Sequence, residues 1–173
     1  MYKRQVSSSG ELVAELFYNG ITRGGRIQGA DAILEAEPEL PVISSFAPEP
    51  LWRREVLIGL HAGQQYTECA QIYNPIHTEP SVAKGAGLPD MILHGSATKA
   101  MALMSVVDEC LGGDADKVTR LTGQLRGMVL MDSSISVECL SHEIAGDEIR
   151  VAFRVLNEKG EPAISNGVVC ART

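Results

Sequence analysis

Residues 96–111 read SATKAMALMSVVDECL. Ala97, Ala100, Met101, Met104, Val107 and Leu111 recur at helical spacing, and the charged residues in the run are Lys99, Asp108 and Glu109. Much of the remaining surface is apolar too, so the pattern predicts a helix that protein encloses on every side. Gly112-Gly113 stops it. Downstream the period changes from helical to two. Ile135, Val137 and Cys139 alternate with Ser134, Ser136 and Glu138; Ile149, Val151, Phe153 and Val155 alternate with Arg150, Ala152 and Arg154. Strands are expected over 120–131, 134–140, 148–156 and 163–171, separated by Asp132-Ser133, Gly146-Asp147 and Lys159-Gly160. Short turns between sequential strands mean an antiparallel meander. The fold class is therefore α+β, an antiparallel sheet wrapped around one long buried helix.

Upstream of the helix, residues 53–60, RREVLIGL, suit a short strand, and 64–72, QQYTECAQI, one or two helical turns that Asn74-Pro75 ends. Thr78 is a candidate N-cap for a short helix through Lys84, with Pro80 in its first turn. Residues 11–18, ELVAELFY, alternate as a strand. Between the two regions lie Pro38, Pro41, Pro48 and Pro50 and the acidic Glu35, Glu37 and Glu39. Loops of that length are uncommon inside a compact domain. Residues 1–23 are thus expected to be an N-terminal strand region, 24–52 a Pro-rich linker and 53–173 the main domain.

Bulk properties narrow the class of function. The 173 residues carry a net charge of -7, with 45% hydrophobic and 21% charged residues, which excludes a disordered chain. No overall basic footprint for nucleic acid or an anionic membrane exists, and no apolar run approaches the about 18 residues of a spanning helix. The opening MYKRQVSSSG has no apolar core of a signal peptide, so cytoplasmic residence is expected. Cys69, Cys110, Cys139 and Cys170 form no CxxC pair, which excludes zinc-ribbon and thioredoxin-like readings and leaves the expectation of four reduced, mostly buried thiols. Gly24-Gly25-Arg26-Ile27-Gln28-Gly29 does not fit a dinucleotide loop.

The informative cluster is Tyr73–Gly95, YNPIHTEPSVAKGAGLPDMILHG. His77 follows Asn74-Pro75, a rigid turn that would set its direction. His94-Gly95 opens the long helix, where backbone N–H groups lack intrahelical partners and carry partial positive charge. A glycine there lets a ligand oxygen approach the backbone. A base facing an N–H-lined oxygen site is what an enolate intermediate requires. On spacing alone, His77 and His94 could equally be packed structural histidines.

This run resembles the signature of the MaoC-like acyl dehydratases, the (R)-specific enoyl-CoA hydratases. NPIH, the acidic Glu79, Ala83, AGLP and LHG occur in the family's order and spacing. The resemblance implies the hot-dog fold over about residues 53–173. It also implies a hydratase/dehydratase acting on an enoyl or 3-hydroxyacyl thioester, with acyl-CoA or an acyl carrier as the thiol part and no metal or redox cofactor. His77 matches the catalytic histidine, Asn74 the asparagine that orients the site, and Gly95, beside His94, the glycine whose N–H holds the thioester oxygen. One position departs: the family's catalytic aspartate falls on Ile72, which cannot move a proton. Glu68, one helical turn earlier, is the candidate replacement, against a carboxylate from another segment or a merely solvated Glu68. Alternative readings are a hot-dog thioesterase, or a catalytically silent or acyl-CoA-binding module that supports a partner domain. Hot-dog units pair in this family, so a homodimer, or a pseudo-dimer with a second hot-dog unit, is expected. ELVAELFYNGITR at 11–23 resembles the last strand of a preceding unit, which would make the chain part of a longer protein; the alternative is a genuine N-terminal strand and arm that exchange with a dimer partner.

Overall fold

The structure, a computed structural model, describes residues 2–20, 26, 28–30 and 38–173. Gly24-Gly25, the acidic Glu35 and Glu37, and the end of the strand expected over 11–23 lie outside the described residues. The chain divides into two compact units, residues 1–40 and 41–173.

In the first unit, β1 (Tyr2–Val6) and β2 (Leu12–Phe17) form an antiparallel hairpin. Its turn closes through Gly10 N–H donating to the Ser7 carbonyl at 3.0 Å, and Gly10 takes φ 84°, a conformation that favours glycine.

The second unit contains β3 (Trp52–Ile58), α1 (Ala62–Ala70), α2 (Pro80–Gly85), α3 (Gly95–Cys110), β4 (Val118–Leu125), β5 (Ser133–Ala145), β6 (Glu148–Leu156) and β7 (Pro162–Arg172). The five strands make an antiparallel sheet in the order β3-β5-β6-β7-β4. α3 lies on its concave face, which is the hot-dog arrangement. Val106, Ala102 and Ala97 of α3 are buried with Ile135, Val137, Phe153, Val155 and Val169 of the sheet. Phe153 fits there because Gly167 has no side chain: a Cβ on Gly167 would lie 2.6 Å from the ring. Residues 41–51, read from the sequence as the end of a connector, run along β5. Ala47 N–H donates to the Leu140 carbonyl, and Ser44 and Ser45 N–H donate to Glu143 Oε1.

Two further expectations change. Among the described residues of the second unit α3 is covered on one side, and Met104 is 66% exposed, because five strands curl around one face of a helix and leave the other. The strand expected over 120–131 ends at Leu125. Gly123 sits near a register shift in the β4–β7 pairing; past Leu125 the Arg126 and Gly127 N–H groups still donate to the Ala163 and Pro162 carbonyls, and Leu130 then bridges to Ile92. Glu138, on the outer face of β5, is fully buried because Arg154, whose Nε lies 2.5 Å from Glu138 Oε2, and Arg53, paired with Oε1, cover it.

Candidate active site

Pro75–His77 form one turn of 3-10 helix. Asn74 caps it: Asn74 Oδ1 accepts from Ile76 N–H at 3.4 Å, and the Asn74 carbonyl accepts from His77 N–H at 3.1 Å. Asn74 thus shapes the turn that carries His77, while its own side chain is exposed. His77 Nδ1 lies 2.7 Å from the Ile92 carbonyl. A carbonyl only accepts, so Nδ1 carries the proton and the Nε2 of the neutral ring keeps its lone pair.

His94 is 3% exposed and stacks on His77, with ring centroids 3.7 Å apart and planes at 27°. Its Nε2 lies 3.3 Å from both Thr67 Oγ1 and the Ile72 carbonyl. Tyr66 packs against the same ring at 5.0 Å. Burial first, and then the adjacent His77, hold the His94 imidazole below its ordinary range, while the Ile72 carbonyl pulls the other way. His94 is thus a neutral ring behind His77 and does not line the cavity.

That cavity, of about 200 Å³, is lined by His77, Gly95, Thr98, Leu125, Met128 and Val129 among others. Gly95 is the first residue of α3, and the first intrahelical bond runs from Thr98 N–H to the His94 carbonyl. The N–H groups of Gly95, Ser96 and Ala97 are therefore left over at the positive end of the helix. Leu125 covers Gly95 so closely that a Cβ there would lie 3.0 Å from Leu125 Cδ2, with Cδ1 nearer still. A larger residue at this position would have to displace the half-exposed Leu125 side chain. A larger depression of about 560 Å³ along β3 is open and lined by Leu57, Gly59, Asp132 and Glu158 among others. It holds neither a histidine nor a helix terminus and offers no comparable chemistry.

Glu68 does not replace the missing aspartate. It is exposed, and Thr67 takes the inward position. The inward face of α1 is Gly63 and Thr67, one turn apart. Gln71, at φ 53°, ends the helix in the left-handed conformation, so residue 72 never stacks on residue 68. The Ile72 side chain is 44% exposed, while its carbonyl faces His94. Among the described residues no carboxylate hydrogen-bonds or ion-pairs with either histidine ring, and no cluster of three or more His, Cys, Asp or Glu side chains could hold a metal.

Sequence reasoning also missed Gly63. A Cβ there would overlap the His77 carbonyl oxygen and sit 2.5 Å from Met131 Cε. A lone glycine inside a helical pattern was the available signal. Thr67, Leu125 and Thr98 carried none, because their roles depend on which segments meet in space.

The family described as MaoC like domain matches residues 64–160. The chain belongs to the MaoC-like dehydratase family. Among curated relatives of this MaoC-like chain, 3-hydroxyacyl-thioester dehydratase Y of Mycobacterium tuberculosis is 33% identical over 132 residues, covering 74% of this chain and 43% of that protein. Enoyl-CoA hydratase ChsH3 of the same organism is 28% identical over 109 residues, covering 63% and 34%. The chain thus spans less than half the length of these two relatives. The solved structure of full-length peroxisomal multifunctional enzyme type 2 from Drosophila melanogaster superimposes with a TM-score of 0.75 at 20% identity, over 99% of this chain and 30% of that one. Among the described residues no helix is long and apolar enough to cross a membrane.

Proposed function

We propose that this MaoC-like chain hydrates enoyl thioesters, or dehydrates 3-hydroxyacyl thioesters, with His77 as the proton carrier and the N–H of Gly95 as the oxyanion donor. One observation carries this reading: the histidine whose Nε2 lone pair is left free lines the same cavity as the glycine that opens α3. Names of relatives that act on enoyl-CoA and 3-hydroxyacyl thioesters support it. In the hydration direction, His77 Nε2 takes a proton from water as the water oxygen bonds to the β-carbon. The alkene electrons move onto the thioester oxygen, where an N–H donor at a helix terminus lowers the barrier. The imidazolium then returns its proton to the α-carbon. Atoms and charge balance with one histidine, so no carboxylate is needed beside it.

The absence of a carboxylate partner among the described residues favours one alternative, a module that binds acyl thioesters without turning them over. Incubation with crotonyl-CoA separates the readings. Loss of enoyl absorbance is the expected result, with His77→Ala about 10²–10⁴-fold slower and His142→Ala, exposed on β5, unchanged. Release of free thiol would mean hydrolysis, and neither signal would favour a binding module or a different acyl substrate. We also infer that the chain pairs with a second hot-dog unit, because among the described residues of the second unit β3 and β4 end the sheet with one row of backbone groups each left open. A monodisperse monomer in sedimentation velocity would refute that pairing for a homodimer.

A further inference from the structure

We propose that Thr67 is a positioning residue of this site: its hydroxyl fixes the His94 ring, which by stacking on His77 fixes the direction of the His77 Nε2 lone pair. This rests on the reading of His77 as the proton carrier. Few groups hold His94. Its Nδ1 is buried and has no hydrogen-bond partner among the described residues. All the polar restraint on the ring therefore comes at Nε2, from the Ile72 carbonyl and Thr67 Oγ1, each at 3.3 Å. The carbonyl only accepts, so Nε2 carries the proton, and the lone pair of the Thr67 oxygen shares it from a second direction. Two long acceptors define a plane for the ring; one alone would let it swing.

What that plane controls is on the next ring. His77 is tied at Nδ1 to the Ile92 carbonyl, a single point about which its ring can turn. Its flat neighbour at 3.7 Å removes that freedom. The geometry depends on α1 lying against this pair. Gly63, one turn before Thr67, makes the approach possible because it has no Cβ to meet the His77 carbonyl. Gly63 and Thr67 share one face of α1. Thr67 is 3% exposed, so its hydroxyl has no water to turn to. The position thus carries part of the orienting burden in a site whose usual carboxylate position is Ile72.

Two substitutions separate hydrogen bonding from packing. Thr67→Val keeps the shape and removes the hydroxyl. Thr67→Ser keeps the hydroxyl and removes a methyl group. If Thr67 positions the rings, Thr67→Val lowers kcat on crotonyl-CoA between about 10- and 100-fold with KM within about twofold, as displacement of a reacting group does. Thr67→Ser stays close to wild type. Histidine side-chain 15N spectra give a readout independent of turnover. Wild type and Thr67→Ser should show His77 as the Nδ1–H tautomer and His94 as the Nε2–H tautomer; Thr67→Val should keep these tautomers, which the Ile92 and Ile72 carbonyls set, and shift the Nε2 resonances of both rings. Wild-type spectra and kcat in Thr67→Val would overturn the proposal, and so would a Thr67→Ser variant as impaired as Thr67→Val, which would mean packing. A wild-type protein inert toward enoyl-CoA, with the spectral changes intact, would defeat the functional reading and leave the hydrogen-bond assignment standing.

Discussion

Replacing Gly63 by alanine tests whether the approach of α1 to His77 governs the site. In an open helix the change would stabilise by about 0.8–1 kcal/mol, because alanine loses less backbone entropy. Here the added Cβ overlaps the His77 carbonyl oxygen and lies 2.5 Å from Met131 Cε, whereas ordinary contact begins at 3.4 Å. Methionine can swing aside, but the carbonyl belongs to the backbone turn that carries the base. Relief requires α1 and that turn to part by about 1 Å, a shift large enough to cost about 100-fold in rate. Overpacking of this kind costs about 1–3 kcal/mol, which exceeds or matches the helix gain. Gly63→Ala should therefore lose about 100-fold in crotonyl-CoA hydration and up to several degrees of Tm. Gly85, the last residue of α2, has nothing within 4 Å of its would-be Cβ, so Gly85→Ala should raise Tm slightly and leave turnover alone. The two variants are compared by thermal unfolding and by initial rates on the same day and buffer. A Gly63→Ala protein as active as Gly85→Ala would refute the idea that the α1–His77 contact sets the geometry.

Two further outcomes follow from the same geometry. Because Glu68 is exposed and Thr67 takes the inward place, Glu68→Gln should keep turnover within about twofold, while Ile72→Asp, exposed beyond the end of α1, should give no large gain; a dead Glu68→Gln protein would restore the relocated carboxylate. His94 is held below its ordinary 6.5 by burial, so the unfolded chain binds a proton there before the folded one does. Stability from this residue is fully present above 6.5 and is lost as pH falls from there toward the lower folded value. The urea midpoint of the wild type should drop more between pH 7.5 and 5.5 than that of His94→Gln, and equal drops would show that His94 is not the source.

Much of this protein is legible in the one-dimensional pattern, for local reasons. The helix over 95–110 and the strands that follow are set by periodicity and by Gly112-Gly113, Gly146 and Gly160, which need no distant partner. The same holds for His77: Asn74 and Pro75 build its turn from four neighbouring residues, so the motif and the geometry coincide. Gly95 is likewise readable, since a helix terminus is a local object. What depended on tertiary structure is everything set by one segment meeting another. Glu68 and Ile72 look like stacked neighbours on paper, but Gln71 leaves the helical conformation between them and Thr67 faces inward instead. The open side of α3 at Met104 follows from how far five strands can curl, which no periodicity in the helix reveals. The restraint on His94 comes from an α1 hydroxyl and from the backbone carbonyl of Ile72. A carbonyl is present at every position of every sequence, so only the path of the chain through space decides that this one holds the ring.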